Sequence, residues 1–213
     1  MEPFKQNREK PVVIIFDLGN VLFPFDWDIA ISGFAETLRI SEDRMREIAK
    51  NPDYSILFYE FGTGRMSTER FVKKLNELLG GSLSMESVSR IWCSIFREDR
   101  KMTTLLKRLS KKYRTFILSD TDELHWNHLQ EIHGLEETVT GTILSFRTGS
   151  MKSDPGAFEK MVALYRFDPG RTCFIDDLEK NIRAAENVGI KGILHKSYDK
   201  TVEALRSWGV ETD

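Results

Sequence analysis

Four short apolar runs constrain this chain more than any other feature: VVIIF (12–16), TFILS (115–119), TCFID (172–176) and GILH (192–195). Each is too short for a typical helix, and the first three lead into polar or acidic residues, as buried strands do. Helical patterns separate them, at roughly 99–112, 122–133, 155–166, 178–188 and 199–208. Strands alternating with helices predict an α/β fold, a parallel sheet with helices on both faces.

The alternation is interrupted once. From about 26 to 96 only amphipathic helical stretches occur. In STERFVKKLNELLG, Ser67 or Thr68 can cap a helix, Phe71, Leu75, Leu78 and Leu79 make its apolar stripe, and Gly80 and Gly81 end it. SEDRMREIAKN (41–51) and SMESVSRIWCSIF (84–96) read alike. So long a helical block after the first strand exceeds a crossover. It predicts an inserted α-helical cap at 25–96, carried by a core made of 1–24 and 97–213, and 213 residues suffice for both.

Composition removes several function classes. A net charge of −2, from 31 basic and 33 acidic residues, leaves no nucleic-acid footprint. Cys93 and Cys173 make neither a disulfide framework nor a zinc site, so a reducing cytoplasm is expected. MEPFKQNREKP has no apolar centre and reads as a polar lead-in rather than a secretory signal. No apolar run approaches the roughly 20 residues of a membrane span, so no membrane partner is expected.

In open α/β sheets, ligands bind beyond the carboxyl ends of the strands, near the switch in strand order. Asp17 follows the first apolar run, Ser119 ends the second, Asp176 and Asp177 end the third, and Lys152 can join them from a loop. Hard oxygen ligands of this kind suit Mg²⁺, which also lets neighbouring carboxylates stay ionised together. An ionised Asp17 can attack phosphorus, Ser119 and nearby backbone N–H groups can hold phosphoryl oxygens, and Lys152 can offset charge. Taken singly each residue has a plainer reading. Asp177 can be the N-cap of LEKNIRAAENVG, and a lysine before a helix is ordinarily solvated. Two adjacent acids at a strand end are costly without a counter-ion, however, and together the groups favour a site.

At these residues the sequence resembles the haloacid-dehalogenase-like hydrolase superfamily, from about residue 11 to 208. FDLGNVLFPFD resembles its first motif, ILSDT its second, Lys152 in MKSDPGAF its third and FIDDLEKNIRAAENVGI its fourth. The resemblance implies a Rossmann-like core with a helical cap inserted after the first strand. It also implies a Mg²⁺-dependent phosphatase acting on a small phosphorylated metabolite. The FDLGNV form is most similar to the sugar-phosphate phosphatases of the group, of the bacterial α-glucose-1-phosphate phosphatase type. By the same resemblance Asp17 is the nucleophile, and Asp17, the Gly19 carbonyl, Asp176 and Asp177 hold the metal. Ser119 and the Asp120 N–H bind phosphate, and Lys152 stabilises charge.

Three positions depart from that pattern. Gly19 stands where an acid–base Asp is usual, and such help is worth roughly 10²–10⁴ in rate. Asp120 stands where asparagine is common, and Ser153 where proline commonly follows the lysine. Gly19 therefore leaves open a catalytically weak phosphate-binding or regulatory protein. The metal-independent dehalogenases also lack the second acid, but they usually lack the paired acids of the fourth motif, so Asp176–Asp177 favours the phosphohydrolase.

Phe23, Phe25 and Trp27 can either line the pocket beyond phosphate or pack the hinge, and hinge packing is expected. YEFGTGRMS (59–67) reads as the turn between cap helices, with Arg65 solvated. His125, His128 and His133 lie on one helical pattern without a metal-ligand motif, so surface or packing roles are expected. Of the three, His125 is the least unsuited replacement proton donor, because its helix begins beside the second motif, but packing remains the expectation. A monomer or a homodimer fits equally.

Overall fold

The computed structural model describes residues 11–154 and 156–213, so all of the lead-in before Pro11 lies outside the described residues. Five strands form one sheet: β1 (Val13–Phe16), β2 (Arg114–Ser119), β3 (Gly141–Leu144), β4 (Thr172–Asp176) and β5 (Lys191–Leu194). Every pairing is parallel and the order is β3-β2-β1-β4-β5. The chain thus builds outward from β1 on one side and then returns to its other side, which places the switch in strand order between β1 and β4.

The sequence predicts four of these strands and misses β3. Its GTIL offers only Ile143 and Leu144 as buried apolar residues, because an edge strand has one neighbour and its first half stays partly exposed. The inner strands β1, β2 and β4 alternate between two buried faces. Ile14 and Phe16 point into a cluster with Leu106, Trp126 and Leu205, while Val13 and Ile15 join Phe116, Phe158 and Phe174 on the opposite face.

Five helices follow β1: α1 (Trp27–Leu38), α2 (Glu42–Ala49), α3 (Pro52–Gly62), α4 (Thr68–Leu79) and α5 (Met85–Cys93). Each starts where a side chain accepts an otherwise unpaired N–H: Asp26, Ser41, Asn51, Ser67 and Ser84 in turn. Such caps contribute about 1 kcal/mol each. The turn expected over residues 59–67 is shorter than predicted, because Tyr59–Gly62 complete α3. The five helices share an apolar cluster built on Phe61, Phe71, Leu75, Ile91 and Trp92, with Phe61 and Phe71 stacked at 4.1 Å. The segments leading in and out run side by side: Asp26 N–H donates to Ile95 O at 3.1 Å and Arg97 N–H to Pro24 O at 2.8 Å.

The remaining helices cover the sheet: α6 (Arg100–Leu109), α7 (Glu123–His133), α8 (Leu135–Thr138), α9 (Ser145–Thr148), α10 (Ala157–Tyr165), α11 (Glu179–Asn187) and α12 (Tyr198–Ser207). Among the described residues, no helix is long and apolar enough to cross a membrane.

Candidate active site

Because β2, β1 and β4 are neighbours, their carboxyl ends bring Asp17, Ser119 and Asp176 to one edge. Asp17 N–H donates to Ile175 O at 2.8 Å, so the two acids leave the sheet together. Carboxylate oxygens of Asp17, Asp176 and Asp177 all lie within 4.8 Å of one another. Lys152, in the loop after α9, places its Nζ 2.9 Å from Asp17 Oδ1 and 2.7 Å from Asp176 Oδ2. Ser119 is buried at the end of β2. The Lys152 backbone N–H donates to Asp120 Oδ1 at 2.8 Å, joining the lysine loop to the segment after β2.

Asp17, Lys152 and Asp176 are all buried, Asp176 completely. Burial pushes the Asp17 carboxyl up to about 7; the Lys152 ammonium opposes this and the Asp176 charge adds to it. Burial works against the Lys152 ammonium as well, but Asp17, Asp176 and Asp120 outweigh it and hold its pKa above the ordinary lysine value. Three converging carboxylates against one ammonium leave excess negative charge in a desolvated pocket. That oxygen-only donor set fits a small hard divalent cation.

Several supporting residues escaped the sequence reading. Asn181, on the buried side of α11, donates from Nδ2 to both carboxylate oxygens of Asp176 at 3.0 Å. Leu178 N–H donates to Asp176 Oδ1 at 2.8 Å. Asp177 is therefore not the N-cap of α11: Leu178 takes that position, and the Asp177 carboxylate accepts from Asn20 Nδ2 at 3.0 Å. Asn20 holds a left-handed backbone, φ 54°, which asparagine tolerates better than most residues. Its place directly after Gly19, and that of Asn181 one helical turn beyond Asp177, were the available signals. Ser145 is less visible from sequence. Its Oγ accepts from Thr121 N–H at 2.9 Å and lies 2.6 Å from Gly62 O, tying the end of α3 to the loop after Ser119.

Gly19 is occupied territory. A Cβ placed there would lie 2.8 Å from Cε1 of Phe25, so an acid at this position requires the ring to move. Phe23 is fully buried in the sheet-face cluster, and Phe25 packs edge-on against Trp27 and Phe96 at 6.0 and 6.1 Å, both as hinge packing predicts. Trp27 also packs between the two parts, its ring 5.3–6.0 Å from Phe25, Phe58, Trp92 and His125, while staying 40% exposed. His125 is buried, with Nδ1 2.9 Å from Asp122 Oδ2 and Nε2 2.9 Å from Trp92 O. Both ring nitrogens are committed to acceptors, which removes it as the replacement proton donor and leaves the expected packing role. Arg65 is exposed, as expected, and its guanidinium lies over the Tyr59 ring, 5.0 Å from its centroid.

Comparison with known proteins agrees with this geometry. The haloacid dehalogenase-like hydrolase family profile matches residues 12–189. D-Ribitol-5-phosphate phosphatase of Bacteroides thetaiotaomicron is 27% identical over 186 residues, covering 84% of this chain and 88% of that protein. The sesquiterpene phosphatase AstK of Aspergillus oryzae is 24% identical over 182 residues, covering 84% and 87%. Among solved structures, a HAD-family enzyme of B. thetaiotaomicron in complex with magnesium and inorganic phosphate superposes with a TM-score of 0.77 at 24% identity. That match covers 87% of this chain and 94% of the other, and shows the fold.

Proposed function

The chain belongs to the haloacid dehalogenase-like hydrolase family, and from that premise we propose that it is a Mg²⁺-dependent phosphomonoester phosphatase of small metabolites. The observation that carries this reading is the meeting of Asp17, Asp176 and Asp177 around a buried Lys152 at the switch point of the sheet.

In this reading Asp17 attacks phosphorus, the ester P–O bond breaks and the alcohol leaves. Water then cleaves the aspartyl-phosphate, releasing inorganic phosphate and restoring the Asp17 carboxylate. The Ser119 hydroxyl and the Asp120 N–H hold phosphoryl oxygens. Lys152 offsets charge on Asp17 and on the phosphate, while Asn181 fixes Asp176 and Asn20 fixes Asp177. Asp17, Asp176, Asp177 and the Gly19 carbonyl would hold Mg²⁺, which supplies charge neutralisation at the phosphoryl oxygens. Residues 25–96 form the cap over this edge, and a metabolite enzyme of this kind belongs in the cytoplasm.

The first motif makes a sugar phosphate the expected substrate, and the relatives add a polyol phosphate and terpenyl phosphates to the panel. Phosphate release from such a panel with Mg²⁺ tests the reading. Asp17→Asn is expected to lose on the order of 10³-fold or more in activity, and equal activity would overturn the nucleophile assignment. The Phe25 ring over Gly19 favours a second reading, a phosphate-binding protein with little turnover. Tight Mg²⁺ and phosphate binding without hydrolysis of any ester would select it. Halide release from 2-haloacids without metal would instead make the protein a dehalogenase.

A further inference from the structure

Gly19 leaves proton transfer to the departing alcohol without a donor, and most acids near the strand edge are already engaged. Asp17 is the proposed nucleophile. Asp176 accepts from Lys152, Leu178 and Asn181, and Asp177 accepts from Asn20. Asp154 accepts from Met151 N–H at 2.8 Å and meets the Tyr59 hydroxyl at 3.3 Å. Asp122 is taken up by His125 and Trp92. Asp120 differs from all of these. Its Oδ1 accepts from the Lys152 backbone N–H at 2.8 Å, and among the described residues its Oδ2 has no partner.

The sheet brings that carboxyl to the reacting groups. Side chains alternate along a strand, and Val13, Ile15, Phe116, Leu118 and Phe174 share one apolar face. One more step of each alternation puts Asp17, Asp120 and Asp176 on the same side. Lys152 lies there too, its Nζ 5.7 Å from the Phe174 ring centroid, and it touches both Asp17 and Asp120. Gly19 and Asp120 each stand three residues beyond the paired positions Phe16 and Ile117. The acid missing after β1 therefore has a counterpart at the matching position after β2. With Ser119 and Lys152, Asp120 lines a cavity of about 770 Å³ that runs along β3 and α10, and it stays exposed there. A ligand held by Ser119 and Lys152 can thus meet its carboxyl.

Protein crowds the carboxyl on its other sides, and this partial loss of water raises its pKa above the ordinary aspartate value. Lys152 and Lys180 oppose the rise, and Asp176 adds to it. The other charged side chains around the cavity are Arg147, paired with Glu136, and Lys160. An asparagine here could accept the same Lys152 bond but could not give up a proton.

We propose that Asp120 is the acid–base catalyst that replaces the carboxylate missing at Gly19. As Asp17 attacks phosphorus, the Asp120 carboxyl gives its proton to the ester oxygen. The P–O bond breaks, and its electron pair stays with the departing alcohol. The Asp120 carboxylate then takes a proton from water as the water oxygen attacks the aspartyl-phosphate. The bond from phosphorus to the Asp17 oxygen breaks, its electrons return to the Asp17 carboxylate, and inorganic phosphate leaves with Asp120 protonated again. This assignment rests on the phosphatase reading of the strand-edge site.

The test compares two esters of similar size on the full chain with Mg²⁺. Benzyl phosphate releases a strongly basic alkoxide that needs a proton, whereas 4-nitrophenyl phosphate releases a stable phenolate that does not. Asp120→Asn keeps the Lys152 bond and the backbone N–H. It is expected to lower kcat/KM for benzyl phosphate about 10²-fold or more, and for 4-nitrophenyl phosphate by less than about threefold. With 4-nitrophenyl phosphate its kcat is expected to fall and phosphorylated enzyme to accumulate in intact mass spectra, because water has lost its base. Asp120→Ala gives the same comparison should Asp120→Asn not fold. Equal losses or equal gains on the two esters would overturn Asp120 as the acid and leave the phosphatase reading standing. A wild type that hydrolyses 4-nitrophenyl phosphate alone would do the same. Hydrolysis of neither ester, with no phosphorylation of Asp17 by acetyl phosphate, would overturn the phosphatase reading and this assignment with it.

Discussion

At the strand edge, Asp17, Lys152 and Asp176 are withdrawn from solvent and each meets a charged partner within 3 Å. Among the inserted helices, Trp27, Phe58 and Trp92 pack on one another at 4.9–5.8 Å beside a cavity, and Trp27 stays 40% exposed. The first region concentrates electrostatic energy and holds it with fixed neighbours. The second is held mainly by ring packing, with the Trp92 N–H to Asp122 bond at its border. Charge must be positioned in advance to act on phosphorus, because a desolvated carboxylate without its ammonium is costly. Ser145 joins the two regions, since its one hydroxyl meets both the end of α3 and the loop after β2.

The contrast is tested most severely at Lys152. Lys152→Ala leaves two buried carboxylates facing one another and is expected to cost roughly 3–5 kcal/mol in a chelator-treated urea melt, with Mg²⁺ restoring part of it. A loss under about 1 kcal/mol would mean that the edge is no more electrostatically constrained than the cap.

The pH dependence of the metal-free protein comes next. Asp17 titrates at about 7 in the folded state, against about 3.9 for an unperturbed aspartate. A folded-state pKa raised in this way gives stability that is fully present below about pH 4 and lost as pH rises through about 7. In chelator, wild type is therefore expected to lose on the order of 2–4 kcal/mol relative to Asp17→Asn between pH 5 and 8. Parallel stability curves for the two proteins would show that the Asp17 carboxylate is not destabilised by burial.

The smallest effect lies where the regions touch. Gly19→Asp alone meets the Phe25 ring and is expected to gain nothing in turnover. Paired with Phe25→Ala, it is expected to exceed the Phe25→Ala background by about tenfold, within the range general acid help supplies. A full gain from Gly19→Asp alone would remove Phe25 as the barrier.

Much of the core was legible because each strand carries its own signal. VVIIF and TCFID are apolar on consecutive residues, and only a sheet covered on both faces buries them. Their terminal acids are then placed by topology alone. β3 was not read: its GTIL is no less apolar than the KGIL of the other edge strand, β5, and only its pairing with β2 marks it as a strand. Trp27 was read as packing the hinge, and its ring contacts to Phe25, Phe58, Trp92 and His125 agree. His125 looked available because it sits beside the second motif, and only the fold showed Trp92 O and Asp122 at its two nitrogens.

By itself the sequence determined the alternation of elements, a helical insertion with three of its five helices, and the order of the site residues. These depend on local periodicity, capping chemistry and the burial demanded of each strand. Tertiary structure alone decided which acids meet, that Lys152 bridges Asp17 and Asp176, and that Phe25 fills the space above Gly19. Those features depend on contacts between residues far apart in the chain, where distance and desolvation, not composition, set the energies.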